Sequence, residues 1–300
     1  MLNVYEQIDR NKRKSFLVIA GFIFFILLVV GFFSQLLDYG WSGVGTALIF
    51  AGLMSFSSYY WSDKIILTIS GARPASREKD FLLYTVVENL ALAAQLPKPK
   101  VYLIEDTALN AFATGRDPDH AVVCVTSGLV AKLNRSELEG VIGHELSHVK
   151  NYDIRLMSLV TVLIGVITLL ADWFLRGARW GGRRREEKNQ LQGLLFLAGF
   201  ILALLSPLIA NLIKLAISRK REFLADAGSV MITRQPSGLI SALAKLKADR
   251  EPLEAANKAT AHLYITNPLK NVHQGIGWFA SLFNTHPPLT ERIAALKQMT

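Results

Sequence analysis

Three residues near the middle of the chain have the types and spacing for hydrolytic chemistry. Val141-Ile-Gly-His-Glu-Leu-Ser-His-Val149 spells H-E-x-x-H with His144, Glu145 and His148 in an apolar, helix-favouring run. At 3.6 residues per turn, positions four apart lie almost above one another, so both imidazoles reach one metal ion. Glu145 sits about 100° further round, beside the ion, where it can serve as base for an attacking water. This is the floor of a zinc peptidase site. With six histidines in 300 residues, chance alone produces such a match in roughly one sequence in two hundred. The motif therefore needs a third ligand and a consistent setting.

A catalytic zinc takes three protein ligands and keeps one position open. Ser218-Arg-Lys-Arg-Glu-Phe-Leu-Ala-Asp226 supplies two acids one helical turn apart, Glu222 and Asp226. One can ligate while the other receives the remaining ring N–H of a ligating histidine. A solvated helix face is the ordinary meaning of E-x-x-x-D. Here it yields to the ligand reading, because the apolar hairpin between the two stretches brings both back to the same membrane face.

The elements that must position these residues are unusually apolar. Hydrophobic residues make up 51% of the chain and the mean hydropathy is +0.30, which argues against an ordinary soluble enzyme. Residues 16–34 hold no charge, enough to cross about 30 Å of hydrocarbon. No small-residue cleavage site follows, so the segment reads as a retained anchor. The charge-free stretch 41–61, with Trp and Tyr at its flanks, makes a tight hairpin with it. Two further apolar segments, 156–175 and 191–215, form a second hairpin, with Pro207 kinking the last.

The net charge of +9 does not point to nucleic acid, because the cations cluster beside apolar segments. Arg10, Lys12, Arg13 and Lys14 precede the first and Arg219, Lys220 and Arg221 follow the last, as expected for topology and anionic headgroups. Basic residues before the first span and after the second place the N-terminus and catalytic domain in the cytosol. The Arg-rich loop 176–188 conflicts with two full crossings of the second hairpin; the N-terminal pair is given more weight, since first helices usually dominate orientation. A single cysteine, Cys124, excludes an intrachain disulfide and fits a reducing compartment. Its setting, Ala121-Val-Val-Cys-Val125, is a buried strand, not that of a catalytic thiol.

Between the hairpins, Ile65–Ile69 reads as a short strand and Arg77–Leu96 as a helix stopped by Pro97 and Pro99. Strands are expected at Lys100–Ile104, Asn110–Thr114 and Ala121–Thr126. Ser136 and Glu139 form a capping-box pattern that starts the motif helix near Glu137. Nothing interrupts it before the third apolar segment, so the metal platform doubles as the stem of a membrane helix. The organisation is α+β: an anchor hairpin (1–61), a catalytic half-domain (62–155), a second hairpin (156–215) and a second catalytic half-domain (216–300).

Four motifs in order, Asn110-Ala-Phe-Ala-Thr-Gly115, His144-Glu-Leu-Ser-His-Val-Lys-Asn-Tyr-Asp153, Arg221-Glu-Phe-Leu-Ala-Asp226 and Thr285-His-Pro-Pro-Leu-Thr-Glu-Arg292, resemble the membrane metallopeptidases of the M48 family, HtpX group. The resemblance implies a gluzincin fold with one Zn2+ per chain on His144, His148 and Glu222. It also implies Glu145 as general base and Asp226 as partner of a ligating histidine. It further sets Asn110, Ala111, Phe112, Ala113 and Thr114 on a strand bordering the cleft, where a substrate chain would add by β-augmentation. His286 would lie near the site, steadying the oxyanion or fixing a loop. The implied role is quality control of misfolded membrane proteins. Processing of a lipidated peptide by a CAAX-type peptidase, and an inactive membrane scaffold, are the alternatives. Four spans are too few for the CAAX chamber, and the intact motif argues against the scaffold.

Overall fold

The computed structural model describes residues 4–36, 40–163, 165, 219–253, 260, 263–265 and 287–299. Two long helices, α1 (Val4–Leu36) and α2 (Gly40–Ile69), pack against each other at the N-terminus. Ile65–Ile69 belongs to α2 and is no strand. The β-branched run continues an established helix whose packing into the core, with Ile66 and Leu67 buried, overrides local strand propensity.

The sheet has the order β1-β2-β4-β3, formed by Arg73–Pro74, Lys100–Ile104, Val122–Thr126 and Ala111–Thr114. β2 and β4 run parallel, and the two outer pairings are antiparallel, giving the mixed sheet expected. Helix α3 (Phe81–Ala93) crosses between β1 and β2, and the short α4 (Ser127–Lys132) follows β4 directly. Alternation along β4 separates two cores. Val123 and Val125 face one side with α3 and the motif helix, while Val122 and Cys124 face the other with Phe112, α1, α2 and residues 156–163. Covered on both faces, β4 is buried throughout, which is why it reads as a continuous apolar run. Burial pushes the Cys124 thiol far up, out of reach of thiolate chemistry.

The motif helix is α5 (Arg135–Lys150). Its N-cap is Asn134, not Ser136: the Asn134 side chain accepts from the Glu137 N–H, and Glu137 accepts from the Asn134 N–H. Asn is as good a cap as Ser, and the reciprocal acid three residues on selects it. The platform and the following stem are two helices. α5 stops at Asn151, Tyr152 takes a left-handed φ of 58°, and a new helix begins at Asp153. No proline or glycine marks this break.

α5 is sandwiched by α6 (Arg219–Thr233) and α7 (Pro236–Ala248), and α8 (Leu289–Lys297) closes over both. The approach to α7 requires Gly140, where an added Cβ would stand 2.5 Å from the Leu239 backbone nitrogen. Ser229 on α6 donates to the carbonyl of the same Gly140 at 2.7 Å, fixing α6 in register with α5. Among the described residues, no helix is long and apolar enough to cross a membrane. The second hairpin falls almost wholly outside the described residues, as do His262, His273 and His286.

Candidate metal centre

His144 and His148 lie on one face of α5, as their spacing requires, with their Nε2 atoms 3.2 Å apart. Glu222, on the first turn of α6, brings Oε2 to 3.7 Å from His144 Nε2 and Oε1 to 3.6 Å from His148 Nε2. One atom from each residue falls within 4.8 Å of the others, and all three residues are buried.

The outer ring nitrogens define the tautomers. His148 Nδ1 is 3.0 Å from Asp153 Oδ2, and His144 Nδ1 is 3.0 Å from Asp226 Oδ1. An ionised carboxylate only accepts, so it suits an Nδ1–H on each ring, and a cation at the centre would then meet the two Nε2 lone pairs; His144 Nδ1 also faces Arg292 Nη2 at 3.2 Å. Two imidazole acceptors and a carboxylate thus converge on one buried point, which is a donor set for a cation. The left-handed turn at Tyr152 gives Asp153 its place: five residues past His148, it folds back under the imidazole that an uninterrupted helix would carry it past.

The surroundings push the two imidazoles in opposite directions. Burial opposes a charge on His148, yet its bond to Asp153 and the charges of Glu222, Asp153 and Glu145 raise it to about 9. Burial and the neighbouring Arg292 lower His144 to about 4 despite Asp226. Glu145 is pushed up to about 7 by burial and the charge of Glu222, against the pull of His148, Arg292 and a hydrogen bond from the Ala113 N–H.

Asp226 is held in turn by Arg292 from α8. The guanidinium donates through Nη2 at 2.6 Å and Nε at 2.9 Å to its two oxygens, and Nη1 comes to 3.6 Å from Glu222 Oε2. Burial would raise the Asp226 carboxyl, but Arg292 and His144 hold it below the usual carboxylate range. Arg292 is fully buried. On the other side, Asp153 Oδ1 accepts from Asn11 Nδ2 at 2.7 Å and Arg221 Nη1 at 3.3 Å. Asp153, Arg221 and Arg292 stand inside the quoted motifs but had no role from spacing. Asn11 carries no sequence signal at all, being one polar residue in a basic stretch.

β3 is an edge strand of the sheet beside α5. The Thr126 N–H donates to Asn110 O, so by antiparallel alternation Phe112 and Thr114 also pair with β4, while the backbone groups of Ala111 and Ala113 point outward. Ala111 O accepts from Ile265 N–H at 3.0 Å, and the Ala113 N–H serves Glu145. Phe112 packs its ring against Tyr264, and Thr114 Oγ1 pairs with Ser158 Oγ at 2.7 Å. Asn110, Phe112 and Thr114 thus secure the strand, and Ala111 and Ala113 form its rim.

A family model described as Peptidase family M48 matches residues 78–300, which hold strands β2 to β4, the convergent ligands and the guanidinium behind them. The chain belongs to peptidase family M48. As an M48 member it is a metalloendopeptidase, an α+β peptidase domain in fold. Curated relatives named "Protease HtpX homolog" match across nearly the whole length. The M48 protein of Caldanaerobacter subterraneus subsp. tengcongensis is 46% identical over 99% of this chain and 98% of its own. That of Thermoanaerobacter pseudethanolicus is 44% identical with the same coverages, and that of Streptococcus uberis 41% over 99% and 100%. A crystal structure of S. mikatae Ste24p has a TM-score of 0.49 at 18% identity, covering 98% of this chain and 66% of that one, and adds nothing to the M48 assignment.

Proposed function

We propose that this M48 chain is a membrane-bound, zinc-dependent endopeptidase that cuts misfolded membrane proteins at the cytosolic face of the cell membrane. The observation that carries the reading is the convergence of two Nε2 atoms and one carboxylate within 4.8 Å, each histidine held from behind by its own acid. His144, His148 and Glu222 would hold the zinc, a set of two imidazoles and a carboxylate that leaves a coordination position open. When bound, zinc supplies Lewis-acid polarisation of the scissile carbonyl and makes water a nucleophile near pH 7.

The chain's own residues do the rest. Glu145 takes the proton of the attacking water on its carboxylate and delivers it to the leaving amine, so no covalent enzyme intermediate forms. The Ala113 N–H keeps that carboxylate beside the strand rim. A substrate segment adding along Ala111 and Ala113 would take the place of the Ile265 N–H on Ala111 O and be read through its backbone, with little demand on sequence. Unfolded chains of many sequences are the substrates that suit such a cleft.

Membrane placement is supported by the charge-free run 16–34 in α1 and by large apolar side chains left outside the helix pair. Phe16, Leu17, Phe24 and Leu28 on α1 and Ile49, Leu53 and Phe56 on α2 are each more than half exposed. At the end of α2, Arg155 stacks on Tyr59 and Arg116 on Tyr60 at 5.6 Å and 5.0 Å, a mixture suited to the interface.

The test incubates purified protein with an unfolded membrane substrate, with and without zinc and a chelator, and maps the cut sites by mass spectrometry. Zinc-dependent cleavage is expected. Glu145→Gln should keep stoichiometric zinc and lose at least a hundredfold in rate; cutting that persists in this variant would sink the mechanism. Accessibility of a tag at Gly181 from each side of the membrane reads the topology of the second hairpin.

A further inference from the structure

The N-terminal helix touches the metal centre through one side chain. Asn11 is 1% exposed and lies in the stretch of α1 that precedes the apolar run. Its Nδ2 donates at 2.7 Å to Asp153 Oδ1 and at 2.9 Å to the carbonyl of Asn151. Asp153 in turn takes the Nδ1 proton of His148 on its other oxygen. The next residue of α1, Lys12, sets its ammonium 4.8 Å from the Tyr152 ring centroid. α1 therefore grips the whole turn 151–153 that ends α5, including the left-handed Tyr152.

A non-glycine residue in that conformation costs about 1 kcal/mol or more and persists only where its surroundings over-determine it. The turn contains no glycine or proline to favour it. The contacts that over-determine it include the Asn11 amide on both its flanks and Arg221 on Asp153, and the position they set is that of the acid behind His148.

We infer that Asn11 is a positioning residue for the metal centre: through Asp153 it aims the His148 imidazole, so the seating of α1 against the peptidase domain sets metal affinity. The inference rests on the zinc reading above. Groups that aim a ligand from behind change metal affinity by about 10–100-fold when lost, and Asn11, one bond further out, acts at the lower end. An anchor that holds the enzyme in the bilayer would then also report its own seating to the site.

The experiment is a zinc titration of the full-length protein in detergent, stripped of metal and competed against a chromophoric chelator. Asn11→Leu keeps the volume of the side chain and removes the donor; about tenfold weaker zinc binding is expected. Asn11→Gln, which retains an amide, should recover part of it. The decisive arm is a cycle with Asp153→Asn. If Asn11 acts through Asp153, adding Asn11→Leu to Asp153→Asn costs little further affinity. Full additivity, or wild-type affinity in Asn11→Leu, overturns the inference. Should Asn11→Leu fail to fold, Asn11→Ser replaces it in the same cycle. Glu222→Ala, measured in parallel, separates the two claims. If it too binds zinc as tightly as wild type, the ligand assignment falls; if it alone loses zinc, only the positioning role falls.

Discussion

Arg292 carries the largest electrostatic stake of any side chain around the centre. It is buried against Asp226 and Glu222. Removing one partner of a buried pair leaves an uncompensated charge, which typically costs 3–5 kcal/mol. Arg292→Gln is therefore expected to lose about that much, seen as a lowered denaturant midpoint of the detergent-solubilised protein; an unchanged midpoint would mean that water or another cation takes its place. At this scale the sequence disclosed the groups whose spacing is itself the chemistry. His144, Glu145 and His148 follow from helical period, and Glu222 and Asp226 from a second helical period further along the chain. Arg292, Asp153 and Asn11 were not legible in that way, because their roles depend on which side chain they meet across the fold, and no local spacing encodes that meeting.

Among the elements, α5 is fixed at both ends by polar contacts that sequence pattern read only in part. Its capping box ties it to α7 as well. Glu137 accepts from Ser241 Oγ and Lys245 Nζ, both at 2.6 Å, besides the Asn134 N–H. Burial would raise its carboxyl, but the bonds from Lys245, Ser241 and Asn134 hold it below the usual range. A depressed folded pKa adds stability above the unfolded value, and that stability is lost as pH falls through the folded one. Glu137→Ala should destabilise by about 1–2 kcal/mol at neutral pH, mostly through the cap and hydroxyl bonds, since half-exposed Lys245 contributes little. The gap to wild type should begin to narrow as pH falls below about 4.3, the ordinary glutamate value, and narrow further as pH falls through the folded one. Thermal unfolding across a pH series checks both. The strands were readable because turn residues and β-branched runs mark them, and β4 because it is apolar on both faces. The break at Tyr152 was not, because contacts from α1 impose a conformation that the local residues do not favour. The strand expected at Ile65–Ile69 failed for the opposite reason: its propensity was real and the helix it belongs to was longer.

For the molecule as a whole, the proposed zinc would join α5 to α6, two elements far apart in the sequence. Zinc that binds only the folded state stabilises it by about 2.7 kcal/mol at a hundredfold excess over its dissociation constant. A chelator should accordingly lower the unfolding temperature of the wild type and leave that of Glu222→Ala nearly unmoved, which differential scanning fluorimetry in detergent can read. The α+β class of the peptidase domain was legible from its strand and helix signals. The packing of α1 beneath the centre was not, since an anchor segment reads as a sequence with its own purpose. One feature of this arrangement bears on how a cell makes the protein. The centre draws on Asn11, on α5, on Glu222 and finally on Arg292, so side chains from nearly every stage of synthesis meet at one point. During translation the H-E-x-x-H segment emerges long before its third ligand and before the guanidinium behind it. A chain still on the ribosome therefore lacks the complete proposed site, and activity would have to wait until α6 and α8 have been made.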